Sequence, residues 1–163
     1  MLKKSLIIAT VVALSGCDPQ SPSKEAPKVS ETPQPATYRA ELLFDFERAE
    51  LGSEGRKLLD EFARKLLAAE FERLTATAHA DRIGSAAYNE DLAERRAEAI
   101  RDYLVDKGVP EDRVQIGSKG AREPVTAGRC EGMGPENKQN AKLIACLRPD
   151  RRAELEVRVR AAR

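Results

Sequence analysis

Residues 79–100 read HADRIGSAAYNEDLAERRAEAI: a polar turn around Gly84, then apolar residues recurring at helical spacing. The periodicity predicts a helix from about Ala86 to Asp106, stopped by Gly108. With Leu92 at zero and about 100° per residue, Tyr103, Ile100, Ala93, Leu104 and Ala97 share one arc, the core face. Arg95 projects to the opposite, solvated face with Glu94, Glu98, Arg101 and Asp102. Its neighbour Arg96 projects into the apolar arc, and so does Asn89. An inward guanidinium must be paired and hydrogen-bonded, or must emerge in a cleft, because an unpaired buried charge costs several kcal/mol. Asp81, where the preceding strand leaves its sheet, is the nearest anionic candidate. Two readings follow: an internal Asp81–Arg96 salt bridge bracing the loop, or two opposite charges held open for a ligand carrying both signs.

Outward from this stretch the elements alternate. RLTATAHA sets Leu74, Ala76 and Ala78 against Thr75, Thr77 and His79, which predicts a strand ending at Asp81. Before it, EGRKLLDEFARKLLAAE carries Leu58, Leu59, Phe62, Ala63, Leu66 and Ala69 at helical spacing, with Ser53 as the expected N-cap. YRAELLFDF supplies a first strand from near Tyr38, and a third is expected around Val114 to Gly117. A short helix around Gln139 to Cys146 precedes RAELEVRVRA, in which Ala153, Leu155, Val157 and Val159 alternate with Glu154, Glu156 and Arg158. The order is β-α-β-α-β-(short α)-β. Two amphipathic helices with half-buried strands make an α+β, two-layer fold with the helices on one face of the sheet.

The first 37 residues read differently. MLKKSLIIATVVALSGC has Lys3 and Lys4, an apolar run from Leu6 to Leu14, and small residues before Cys17, the layout of a signal peptide spanning residues 1–16. LSGC resembles a bacterial lipobox, which implies lipid attachment at Cys17 and anchorage to a membrane. Residues 18–37 carry Pro19, Pro22, Pro27, Pro33 and Pro35 among Ser, Lys and Glu, so residues 17–37 read as a lipidated cysteine and extended tether to a domain at 38–163. Three cysteines leave Cys130 and Cys146 once Cys17 is lipidated. In an oxidising compartment a Cys130–Cys146 disulfide is favoured over free thiols or half a metal site. No His lies nearby, and two thiolates do not complete a tetrahedral zinc.

Composition excludes several classes. A formal net charge of +1 provides no field to recruit nucleic acid, and the absence of Trp removes stacking platforms. The one histidine, His79, is two residues from Asp81 as a base and its orienter would be, yet no nucleophile or metal-ligand set accompanies it. A strand-end histidine in a hydrogen bond is the plainer expectation, and no enzyme or cofactor is expected.

ADRIGSAAYNEDLAERRAEAIRDYLVDKG resembles the central motif of the OmpA-like peptidoglycan-binding domain. LLFDFERAEL, PVTAGRC and CLRPDRRAELEV resemble its flanking blocks in the same order, so the resemblance runs from about Leu42 to Val159. It implies a mixed sheet with helices on one face. It also implies noncovalent binding of the diaminopimelate of a peptidoglycan stem peptide, with Asp81 on the ammonium and Arg96 on the carboxylate. Asn89 matches a further polar contact and Arg152 another, although the last strand's alternation alone would leave Arg152 solvated. Two positions depart from the family's usual residues. Ala80 replaces a common Thr before the aspartate, and Glu47 stands where a neutral Asn is frequent. The resemblance further implies a cell-envelope role as a tether between membrane and wall, at the periplasmic face of the outer membrane. Asp18 after the lipidated cysteine would point to the inner membrane in some bacteria. Protein partners in an envelope complex are the alternative role, with peptidoglycan contact secondary.

Overall fold

The structure, a computed structural model, describes residues 37–159. The expected signal peptide, Cys17 and nearly all of the tether lie outside the described residues. The elements are β1 (Thr37–Leu43), α1 (Ser53–Ala68), β2 (Phe71–Ala78), α2 (Ala86–Asp106), β3 (Val114–Ser118), α3 (Ala141–Cys146) and β4 (Arg152–Val159). The sheet order is β1-β4-β2-β3, with β4 antiparallel to both neighbours and β2 parallel to β3. This is the expected α+β architecture with a mixed sheet. The last strand in sequence is thus a central strand in space.

One face of each element builds the core. From the sheet come Leu42, Leu74, Ala76, Ala78, Ala153, Leu155 and Val157, and from the helices Leu59, Phe62, Ala63, Leu66, Ala97, Ile100 and Leu104. Each fully buried Leu or Ile contributes about 1.5–3 kcal/mol relative to exposure. Ala78 pairs with Ala153 at the sheet end from which the chain runs into His79, so no bulky inward side chain fills that end. A second apolar cluster, Ile83, Cys130, Leu143 and Leu147, lies beneath the long loop before β4.

Element boundaries moved for local reasons. Gly52, not Ser53, is the N-cap of α1, and it makes no side-chain cap bond; Ser53 is the first helical residue, followed by Glu54 in the first turn. Ala69 is the exposed C-cap rather than a core residue. β2 stops at Ala78: the His79 N–H still donates to the Arg152 carbonyl, but the Ala80 N–H turns to the Gly120 carbonyl. Ser85 caps α2 by accepting from the Tyr88 N–H at 3.1 Å, and Gly108 ends it at φ 92°. The short helix begins at Ala141, where Asn140 Oδ1 accepts from the Leu143 N–H at 3.1 Å.

The loop joining β3 to β4 is tied down twice. Cys130 and Cys146 form the disulfide, closing a segment of sequence separation 16, a constraint worth about 3 kcal/mol. The Asp150 carboxylate, 1% exposed, accepts from the Val125 and Thr126 N–H groups and the Thr126 hydroxyl. These ties fix the loop against the end of the sheet where β2 gives way to α2.

Candidate functional site

The two adjacent arginines of α2 part as the helical projection requires. Arg95 lies outside and pairs with Asp91 one turn earlier at 2.8 Å. Arg96 is 0% exposed, and its guanidinium is gathered by three backbone carbonyls. Nε donates to Arg48 O at 2.8 Å, Nη1 to His79 O at 2.7 Å and Nη2 to Asp45 O at 3.0 Å. The ring of Phe44 lies 5.0 Å from Cζ. Burial pulls the guanidinium down to about 10, with Asp81 pulling the other way, so it stays charged at neutral pH.

Asp81 and Arg96 form no ion pair with each other, which answers the internal salt-bridge expectation. Arg151 takes Asp81 instead: Nη1 lies 3.0 Å from Asp81 Oδ2, with both side chains almost fully buried. Arg151 is fixed further by its Nε donating to Phe44 O at 3.3 Å and its Nη1 to Ile144 O at 2.9 Å. Asp81 Oδ1 accepts from the Ile83 N–H at 2.9 Å, a turn that starts the loop into α2. Asn89 is buried, 3% exposed, on the same helix about two turns before Arg96.

These groups line one cleft. Asp81, Asn89, Arg96 and Arg151 share it with Glu47 and Tyr88, and the free volume among them is about 10 Å³, the room of one water. Gly84 stands at φ 110°, and a Cβ there would come within 3.1 Å of the Tyr88 ring, so the turn beside the cleft accepts only glycine without strain.

Arg152 is not part of this cleft, and it is not solvated either. It is 4% exposed on the other face of β4, where Nε and Nη2 hold Glu154 Oε1 at 2.8 Å and Nη1 donates to Glu123 O at 3.2 Å. Strand alternation carried the signal for which arginine lines the cleft. Arg151 shares the phase of inward Ala153, Leu155 and Val157, whereas Arg152 shares the phase of Glu154 and Glu156. The carbonyls of Asp45, Arg48 and His79 carried no signal in the sequence, because any residue type supplies one.

His79 departs from the hydrogen-bonded histidine expected. Its side chain is buried, and neither ring nitrogen has a partner among the described residues. Glu154 Oε1 is 3.8 Å from Nε2. Burial, then the neighbouring Arg152, pushes the imidazole below its ordinary 6.5. Because the fold holds the ring neutral, the unfolded chain takes up the proton first as pH falls. Stability should therefore be complete above pH 6.5 and fall as pH drops through the lowered folded value. Urea midpoints between about pH 7.5 and 5 check this, and His79→Leu should flatten the part of the fall due to the imidazole. A variant with the same pH dependence as the parent would show that the imidazole is not the titrating group.

Comparison with known proteins places this geometry. Residues 43–138 match the OmpA family. The chain is similar to Outer membrane protein A of Shigella flexneri, 40% identical over 141 residues that cover 82% of this chain and 39% of that protein. It therefore spans about two fifths of that relative's length. Among solved structures it is similar to the peptidoglycan-associated lipoprotein from Burkholderia pseudomallei, with TM-score 0.58, 26% identity, and coverage of 72% of this chain and 89% of that one. It also shares its fold with the OmpA-like domain of FopA1 from Francisella tularensis, with TM-score 0.58, 19% identity, and coverage of 78% and 77%.

Proposed function

The chain belongs to the OmpA family, whose domain is a non-enzymatic peptidoglycan binder of the cell envelope, and from that premise we propose that it grips the diaminopimelate of a stem peptide in the Asp81–Arg96 cleft. The observation that carries this reading is the convergence of one buried carboxylate, two buried guanidiniums and the buried Asn89 on a single opening. A zwitterionic centre matches that set. Three of the five N–H groups of Arg96 are spent on carbonyls, which leaves two, on the terminal nitrogens, for a ligand carboxylate. Asp81 retains lone pairs beyond those used by Ile83 and Arg151 for a ligand ammonium. Arg151 holds the aspartate in place. Asn89 is the remaining polar contact. Arg152 enters this proposal only from behind, by supporting the strand.

Lysine at the same stem position lacks the second carboxylate of diaminopimelate. A lysine-type stem would leave Arg96 without its ligand, a loss of about 2–5 kcal/mol for a buried charge. Calorimetry with matched soluble stems, supported by pull-down on both types of sacculus, provides the test. Binding of the diaminopimelate type with little or none of the lysine type is the expected result, and equal affinities would sink the proposal.

The anchor belongs to the same proposal. A lipid on Cys17, with the proline-rich segment as spacer, would hold the domain at the periplasmic face of the outer membrane and so tether membrane to wall. Cys17→Ser should release the protein from the membrane fraction, and unchanged retention would refute lipid anchoring there. Density separation of the two membranes would decide whether Asp18 directs the protein to the inner one.

A further inference from the structure

We infer that the Cys130–Cys146 disulfide is a redox latch on the cleft: oxidised, it keeps Asp81 in place for a ligand, and once reduced by a dithiol it lets the grip weaken while the domain stays folded. This rests on the function proposed above and adds how that function is regulated.

Both ends of the bridge lead to Asp81. Arg82 directly follows the aspartate, and its Nη2 donates to Cys130 O at 3.0 Å, while its Nε meets Glu136 inside the bridged segment. On the other leg Ile144, two residues before Cys146, offers its carbonyl to Arg151 Nη1 at 2.9 Å. The same nitrogen donates to Asp81 Oδ2 at 3.0 Å. One cysteine thus steadies the backbone beside the aspartate, and the other steadies the guanidinium that holds its carboxylate.

The bridged segment is otherwise lightly held. Residues 131–139 are exposed apart from the half-buried Asn137, and a Cβ on Gly132 would meet nothing within 4 Å. Asn140 donates to Met133 O and Pro135 O, bonds that stay within the segment. Its apolar footing is the small cluster of Ile83, Leu143 and Leu147, of which Cys130 is itself a member. The core between the sheet and the long helices contains none of these residues. Opening the bridge therefore loosens the acceptors of Arg82 and Arg151 and leaves that core in place.

Access to the bridge is one-sided. Cys130 is 1% exposed, whereas Cys146 is half-buried. A thiolate of the dithiol attacks Cys146 Sγ, forming a mixed disulfide as the Cys130–Cys146 bond breaks, and Cys130 leaves as a thiolate that takes a proton. The second thiol of the reductant then displaces Cys146, so the chain gains two thiols and the reductant ends as a disulfide. Ligand binding to the reduced chain must order a loop that the bridge orders beforehand in the oxidised chain, and affinity falls by that difference.

The test is calorimetry on the detergent-solubilised full chain with a soluble tripeptide stem ending in diaminopimelate, before and after reduction by dithiothreitol, with circular dichroism on the same samples. Reduction should lower affinity about tenfold with the folded signal kept. The double variant Cys130→Ser with Cys146→Ser should bind like the reduced chain and ignore the reductant. In buffers of graded dithiol-to-disulfide ratio, affinity should follow the fraction of chain carrying two free thiols, read by mass. A change within about twofold on reduction, a double variant that still responds to dithiothreitol, or loss of the folded signal would each overturn the latch. Failure of the oxidised chain to bind the stem would instead remove the proposed function, and this inference with it.

Discussion

Replacing Arg96 with alanine should cost the fold about 3–5 kcal/mol, while Arg95→Ala, one residue earlier, should change it by less than about 0.5 kcal/mol. The contrast comes from what each guanidinium touches. Arg95 makes an exposed pair one helical turn away, of the kind worth a few tenths of a kcal/mol. Arg96 joins three pieces of chain that are otherwise separate: α2, the turn holding Asp45 and Arg48, and the end of β2 at His79. Its loss takes a donor from each of three carbonyls, of which Asp45 O keeps the Arg48 N–H, and leaves a void beside the Phe44 ring. Arg96→Lys should recover only part of the loss, since one ammonium cannot reach three carbonyls held in a planar fork. Urea unfolding with matched slopes measures this. Similar midpoints for the Arg95 and Arg96 variants would mean that the carbonyl contacts contribute nothing. Any loss of ligand binding in Arg96→Ala must therefore be read beside its stability, because the side chain proposed to meet the ligand also builds the cleft.

The second large effect is expected at the Asp81–Arg151 pair. Asp81→Ala strands a guanidinium that is 5% exposed, a change in the range of about 3–5 kcal/mol. Arg151→Met should cost less, since methionine fills much of the same volume and an uncompensated carboxylate can take a proton. The double variant should be more stable than the sum of the single losses implies, with a coupling of about 2–3 kcal/mol. A coupling under about 0.5 kcal/mol would show that the pair is incidental to the fold. Asp81→Asn separates the two duties of the residue. It keeps an acceptor for the Ile83 N–H and removes the charge, so it should retain more of the fold than Asp81→Ala and still lose the ligand ammonium.

The legible parts of the fold were those written in periodicity. The 3.6-residue pattern located α2 at Ala86–Asp106 and turned Arg96 inward, and the alternation of Ala153, Leu155 and Val157 located β4. The cysteine count identified the Cys130–Cys146 link. Partner identity was less legible, because it depends on which loop ends meet. Asp81 looked adjacent to Arg96 along the chain, yet its ion-pair partner stands 70 residues away at Arg151. Arg152, named from the family resemblance, lies on the Glu154 and Glu156 face of β4, whereas the cleft is lined by Arg151, which was not singled out from the sequence. Ser53 resembled a cap by residue type, but capping is decided by backbone angles, and Gly52 holds the extended conformation there.

Because β4 is the last of the described strands in sequence and sits between β1 and β2, the sheet receives its centre last. Before residues 152–159 arrive, β1 has no neighbour to pair with, and β2 has only β3. The β1–β4 pairing then closes a span of over a hundred residues, from Leu43 to Arg152, a long-range step that loop entropy makes slow. Arg151 stands immediately before that strand, and its C=O group and side chain meet Phe44, Asp81 and the short helix at once. The cleft is thus completed by the same event that closes the sheet. Until residues 152–159 join the sheet, the groups that line the cleft are not yet gathered.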